Sequence, residues 1–252
     1  MTQRLLIACA ACGIALAQAP GGAPSGNDIA HGAPPGTALP PSGKPLPKMS
    51  NGKPDLSGMW IFQPAMNVDN IGPYKAEILP KVRAFAKDNS ADPAVSCFLL
   101  GTPRVTTFGL FPFKIIQSPK ETIILYEAMR TFRDIPTDRR GHSRLPENTF
   151  MGESIGHWEE NTLVVDTVGF NDKTWLAGGG AIHSEDLHVV ERYSPTADGR
   201  IHYEAVAEDP KMLTQPWKVV DGLLSASPGG DMISEYECIE GNRDIEHLNK
   251  PK

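Results

Sequence analysis

Positive charge is not in excess in this chain: 24 Lys and Arg stand against 30 Asp and Glu, for a formal net charge of −6. No basic stripe runs along it, so no nucleic-acid partner is expected. Long apolar runs are equally scarce. The one at Leu5–Leu16 is too short to cross a bilayer, and no integral membrane span is expected. Strong catalytic motifs are missing as well. There is no Gly-x-Ser-x-Gly elbow, no phosphate loop and no His-Glu-x-x-His, and Gly178-Gly179-Gly180 does not sit between a strand and a helix as a dinucleotide site requires. No cofactor is expected on these grounds, with a divalent metal as the minority alternative. Internal repeats, heptads and strand-helix alternation are absent too, which disfavours solenoids, coiled coils and parallel sheets.

The chain is rich in turn formers, 24 Gly and 23 Pro, and this points to many turns and little helix. Arg4, the Leu5–Leu16 run and the small residues Ala15-Leu16-Ala17 read as a secretory signal over 1–17; a buried N-terminal helix is the alternative. Residues 18–54 are Pro, Gly, Ala and Ser with few large apolar side chains, and read as a disordered linker. A single domain over 55–245 and a short tail, 246–252, complete the division. The expected location is periplasmic or secreted. Of four cysteines, Cys9 and Cys12 leave with the signal. Cys97 and Cys238 remain, and an oxidising compartment suits one disulfide between them; two buried free thiols are the alternative.

Short alternating runs bounded by turn residues predict about ten antiparallel strands, an all-β barrel or sandwich. They begin at Gly58–Phe62 and continue through Phe111–Gln117, Glu121–Glu127 and Arg130–Ile135. Ser154–Trp158 and Thr162–Val168 form a hairpin over Glu159-Glu160-Asn161, with Asn161 suited to the left-handed turn. Leu187–Tyr193, Ile201–Glu208, Pro216–Val220 and Met232–Cys238 follow. One helix is expected within Ile71–Asp88, with Ile78, Val82 and Phe85 at helical spacing and Pro80 in its first turn.

Two constellations and several single residues carry candidate chemistry. His183-Ser184-Glu185 with His188 could ligate a metal or form an acid/base pair, although an extended chain points His188 away from the other two. Arg133-Asp134 with Arg139, Arg140 and His142 could clamp a carboxylate, or could be a solvated turn. Asp166 lies on the opposite face of its strand from Val165 and Thr167, so it lines a wet cavity or faces solvent. Asn171 and Trp175 suit a pocket mouth. Tyr126, Glu127, Glu191 and Arg192 read as cross-strand polar pairs in the barrel wall.

The phrase Gly58-Met59-Trp60 is similar to the Gly-x-Trp of the first lipocalin or calycin strand. From Asp55 to Asn242 the order of phrases resembles an uncharacterised family of secreted bacterial proteins. Those phrases are PDLSGMW, TPR, KIIQSP, ILYE, FRDIPTD then GH, SIGHWEENTLVVDTVGFND, HSEDLHVVERY, EDP and PW. The resemblance implies a lipocalin-like barrel and brings no catalytic residues. The residue reading adds a pocket for a small, partly apolar organic molecule. His142, Asp166, His183 and Glu185 are its candidate acid/base residues, for lyase, isomerase or hydrolase chemistry. Tyr126, Arg133, Asn171, Trp175 and His188 are candidate ligand contacts, and no metal ligands are assigned. The alternatives are a non-catalytic carrier or sensor, and a structural domain of the envelope.

Overall fold

A computed structural model describes residues 41–64, 71–108, 111–227 and 232–239. The proposed signal, with Cys9 and Cys12, and the tail at 246–252 lie outside the described residues. The strands among them are β1 (Gly58–Pro64), β2 (Phe113–Ser118), β3 (Glu121–Tyr126), β4 (Thr131–Pro136), β5 (Glu153–Glu159), β6 (Thr162–Val168), β7 (His188–Pro195), β8 (Ile201–Glu208) and β9 (Trp217–Ala226). They form one sheet in the order β4-β3-β2-β1-β9-β8-β7-β6-β5, curled into a nearly closed barrel in which every ladder is antiparallel. The all-β expectation, with one inserted helix, stands.

Period-two alternation decides which side chains fill the barrel. Phe113 and Ile115, Ile124 and Tyr126, Leu163 and Val165, and Val189 and Tyr193 are buried at alternate positions along their strands. Each fully buried apolar side chain of this kind contributes about 1.5–3 kcal/mol, and a slip of one residue would expose the whole set. At β9, Gly222 leaves room for the Phe62 ring: a Cβ there would lie 2.6 Å from Phe62 Cε2.

The two ends of the barrel differ. One carries the tight turns between β2 and β3, β5 and β6, and β7 and β8. The other carries the long segments and is plugged by them. There the helix α1 (Leu79–Lys87) buries Val82, while Leu100, Val105 and Phe108 are buried around the turn Arg104–Thr107. Arg104 makes a buried two-pronged pair with Asp92 (2.8 and 2.6 Å) and lies over the rings of Phe108 and Trp175.

Several boundaries differ from the sequence reading. The helix begins at Leu79 rather than near Ile71, with Pro80 in its first turn as expected. In the β5–β6 turn the left-handed residue is Glu160 (φ 50), not Asn161. Met232–Cys238 is not a strand: it forms no ladder, and β9 instead runs on to Ala226 and pairs with β1. This last segment is held by side chains. Tyr236 packs on Phe111, Arg130 pairs with Glu235 and Glu237, and Cys238 is bonded to Cys97. Part of the stretch read as linker is tied to the barrel, through Gly43 N–H to Asp198 C=O and Lys53 Nζ to Glu160 C=O.

β4 and β5 are the edges of the sheet and meet at a seam. Arg133 reaches Ser154, and a Cβ on Gly156 would lie 3.0 Å from both Ile135 and Thr137, so residue numbers rise together along the two strands. The edges therefore run parallel. A parallel pair cannot be joined by a hairpin and needs a crossover of a dozen or more residues. Residues 137–152 supply it, as a strap that crosses the outside of the seam.

Candidate functional site

The lumen, where a barrel of this kind would hold a ligand, contains a polar network of its own side chains. Arg133 donates through both Nη atoms to Glu191 (2.9 and 2.6 Å) and through Nη2 to Ser154 Oγ (2.9 Å) and Thr167 Oγ1 (3.1 Å). The hydroxyls of Tyr193 and Tyr203 donate to the same Glu191 oxygen, at 3.0 and 2.7 Å. Tyr126 shares a hydrogen bond with Thr106 beside them. Burial would pull the Arg133 pKa down, but the charge of Glu191 holds it well above its usual range. Burial raises Tyr126, Tyr193 and Tyr203, which keeps the hydroxyls of Tyr193 and Tyr203 as donors to Glu191.

A groove lies outside the seam, beneath the strap. Its volume is about 510 Å³. Its walls include Phe132, Asp134 and Pro136 on β4 and Glu153 and Ile155 on β5, with Arg140, Ser143, Leu145, Pro146, Glu147 and Met151 from the strap, and it also touches Arg133 and Ser154 of the lumen network at the seam. Thr137 N–H binds Lys120 C=O at one end of the strap (2.8 Å). At the other, Thr149 exchanges backbone hydrogen bonds with Gly169 and Asn171. Ser143 donates from N and Oγ to Glu153.

Beside the groove, Asp166 stands between two imidazoles. His142 Nε2, from the strap, lies 2.8 Å from Oδ1, and His188 Nε2, from β7, lies 3.0 Å from Oδ2. His188 Nδ1 is also 3.4 Å from Glu208. The hydrogen bond to Asp166 raises the His188 pKa, and the same bond lowers that of Asp166. The pair thus favours the protonated form of His188, on a carboxylate that also anchors His142. Asp166 is the ladder partner of Ile155, and His142 precedes Ser143, so the cluster adjoins the groove directly. His142 Nδ1 is buried without a hydrogen-bond partner among the described residues.

The structure brings His142, Asp166 and His188 together and separates them from His183 and Glu185. His183 is buried on the plugged end. Its Nδ1 lies 2.9 Å from Ser184 C=O and acts as donor, which leaves Nε2 to accept from Thr174 Oγ1 (2.7 Å). Burial lowers its pKa, so it is a neutral ring within the packing. Glu185 is exposed. Trp175 is buried against Phe85, and Asn171 Oδ1 accepts from Lys173 N–H, so neither opens onto the groove. Tyr126 and Arg133 face inward. Arg133 does clamp a carboxylate, that of Glu191.

Sequence reasoning missed Ser154, Thr167, Tyr193 and Tyr203, and left Glu191 in the barrel wall. Glu191 shares its strand face with Val189 and Tyr193, and that alternation was the available signal. The groove residues carried no such signal, because they come from two strands and a strap distant in sequence. No protein-family model, curated protein or solved structure matches this chain.

Proposed function

We propose that the protein is exported and binds a small, partly apolar organic molecule in the groove between strap and seam. One observation carries this reading: a mixed polar and apolar recess of about 510 Å³, within the usual range for small-molecule sites, lies outside a barrel whose interior holds its own polar network. The disulfide and the resemblance to secreted bacterial proteins support export. The test is a small-molecule melting screen on the intact chain and on Ile155→Arg, which places a long charged side chain in the groove. Compounds that raise the midpoint of the parent should lose their effect on the variant. Undiminished binding to the variant would refute the assignment.

A second reading, acid/base turnover of the bound molecule, is favoured by the Asp166–His142 pair on the rim. The carboxylate orients the imidazole through Nε2 and leaves Nδ1, unpartnered among the described residues, as the base; because that atom is buried, turnover on this reading requires the strap to open over it. His142→Gln should then abolish turnover of a bound compound while leaving its affinity within about threefold, a change under 1 kcal/mol. Equal loss of both would reduce His142 to a latch for the strap.

A further inference from the structure

Given that reading of the groove, we infer that its ligand is an organic cation, an amine or ammonium on an apolar body. The two arginines that line the groove, Arg133 and Arg140, suggest the reverse, a clamp for an anion, but their forks are already engaged. Arg133 is bound to Glu191, and Arg140 holds Asp138 through Nε (2.9 Å) and Nη2 (2.7 Å). Neither partner carboxylate lines the groove, so both guanidiniums are neutralised from behind.

Three carboxylates of the lining have no such partner. Asp134, Glu147 and Glu153 form no ion pair among the described residues. Glu153 receives hydrogen bonds from Ser143 alone, a neutral donor. Asp134 is close enough to Arg140 to feel its charge, but Arg140 bonds to Asp138. Apolar side chains line the same recess. Phe132 is 64% exposed and Leu145 91% exposed, so both are accessible to a ligand, and Ile155 lies between them and the cluster at Asp166. An ammonium can donate to several carboxylate oxygens at once and can lie over the Phe132 ring, while its hydrocarbon covers Leu145 and Ile155. A carboxylate ligand would meet like charge and find no free donor fork among the lining residues.

The test is calorimetric titration of the intact chain with three probes of similar body: phenethylamine, phenethyl alcohol and hydrocinnamate. The amine should bind roughly tenfold more tightly than the alcohol, the sum of several exposed charge contacts, and the alcohol more tightly than the carboxylate. Raising the salt should narrow the difference. In the double variant Asp134→Asn, Glu147→Gln the preference for the amine over the alcohol should collapse; a melting curve checks that the variant folds. Equal binding of the three probes, or tighter binding of the carboxylate, overturns the cation assignment and leaves the groove as a binding site. Failure of all three to bind overturns both.

Discussion

Arg133 and Glu191 are 3% and 0% exposed, and every strong donor or acceptor around them is engaged. Removing one partner leaves a buried charge uncompensated. Arg133→Met should therefore lower stability by about 3–5 kcal/mol, read from urea denaturation. Adding Glu191→Leu should restore part of the loss and not all of it, because Tyr193 and Tyr203 then lack their acceptor. Full additivity of the two losses would contradict the pairing. His188 and His183 have opposite pH signatures. The raised pKa of His188 means that its contribution is complete below its ordinary value of 6.5 and is lost as pH rises through the folded value. For Asp166 the contribution is present above 3.8 and is lost as pH falls through its lowered folded value. His183, lowered by burial, makes the fold lose stability as pH falls below 6.5. Replacing His188 by Gln should flatten the decline above pH 6.5 by roughly 0.5 kcal/mol, a small figure because both groups are about a third exposed. Denaturation midpoints across the pH range would show it, and an unchanged slope would remove the charged pair.

At the scale of elements, the strands were the legible part. Alternation in Thr131–Ile135 and Thr162–Val168 put Arg133 and Ile135 on one face and Thr167 opposite Asp166, and the structure turns Arg133, Ile135 and Thr167 inward because that face of each strand meets the core. Met232–Cys238 has the same composition as a strand and is not one. What decides is a partner edge, and β1 is already paired on both sides, with β2 and β9. Position in the sheet is a tertiary fact that one segment's pattern does not carry. The seam makes a prediction of its own. Gly156→Val would push two methyl groups into Ile135 and Thr137, which lie 3.0 Å from the Cβ position, and should cost about 1–3 kcal/mol of overpacking. It should also loosen the strap, so that proteolysis between 137 and 152 quickens; a variant as stable and as protease-resistant as the parent would place β4 and β5 farther apart than described.

For the whole molecule, the Cys97–Cys238 bond joins residues 141 apart and ties the last described segment to the plugged end. In the chain-entropy model a closure of this length contributes about 5 kcal/mol. Cys97→Ser with Cys238→Ser should lower the melting temperature by about 10–20 °C, taking about 1 kcal/mol as 2–4 °C for a chain of this size. A shift of a degree or two would mean that the segment is held by Tyr236 and Arg130 instead. The candidate site was half legible. His142, Asp166 and His188 were each singled out from composition and strand face. Their meeting was not foreseen, since it depends on a strap that brings His142 back across β5. His183 and Glu185 were proposed because they lie near His188 in sequence, and the chain turns between them.

The strap also follows from arithmetic. Strands that alternate in direction return to antiparallel closure only when their number is even; with nine in the sheet, the first and last must point the same way. A tenth strand at the seam would let simple turns close the cylinder and would erase the recess. The groove is thus a consequence of parity. Its place is set by the strand count, so the residues that line it can change without changing the architecture.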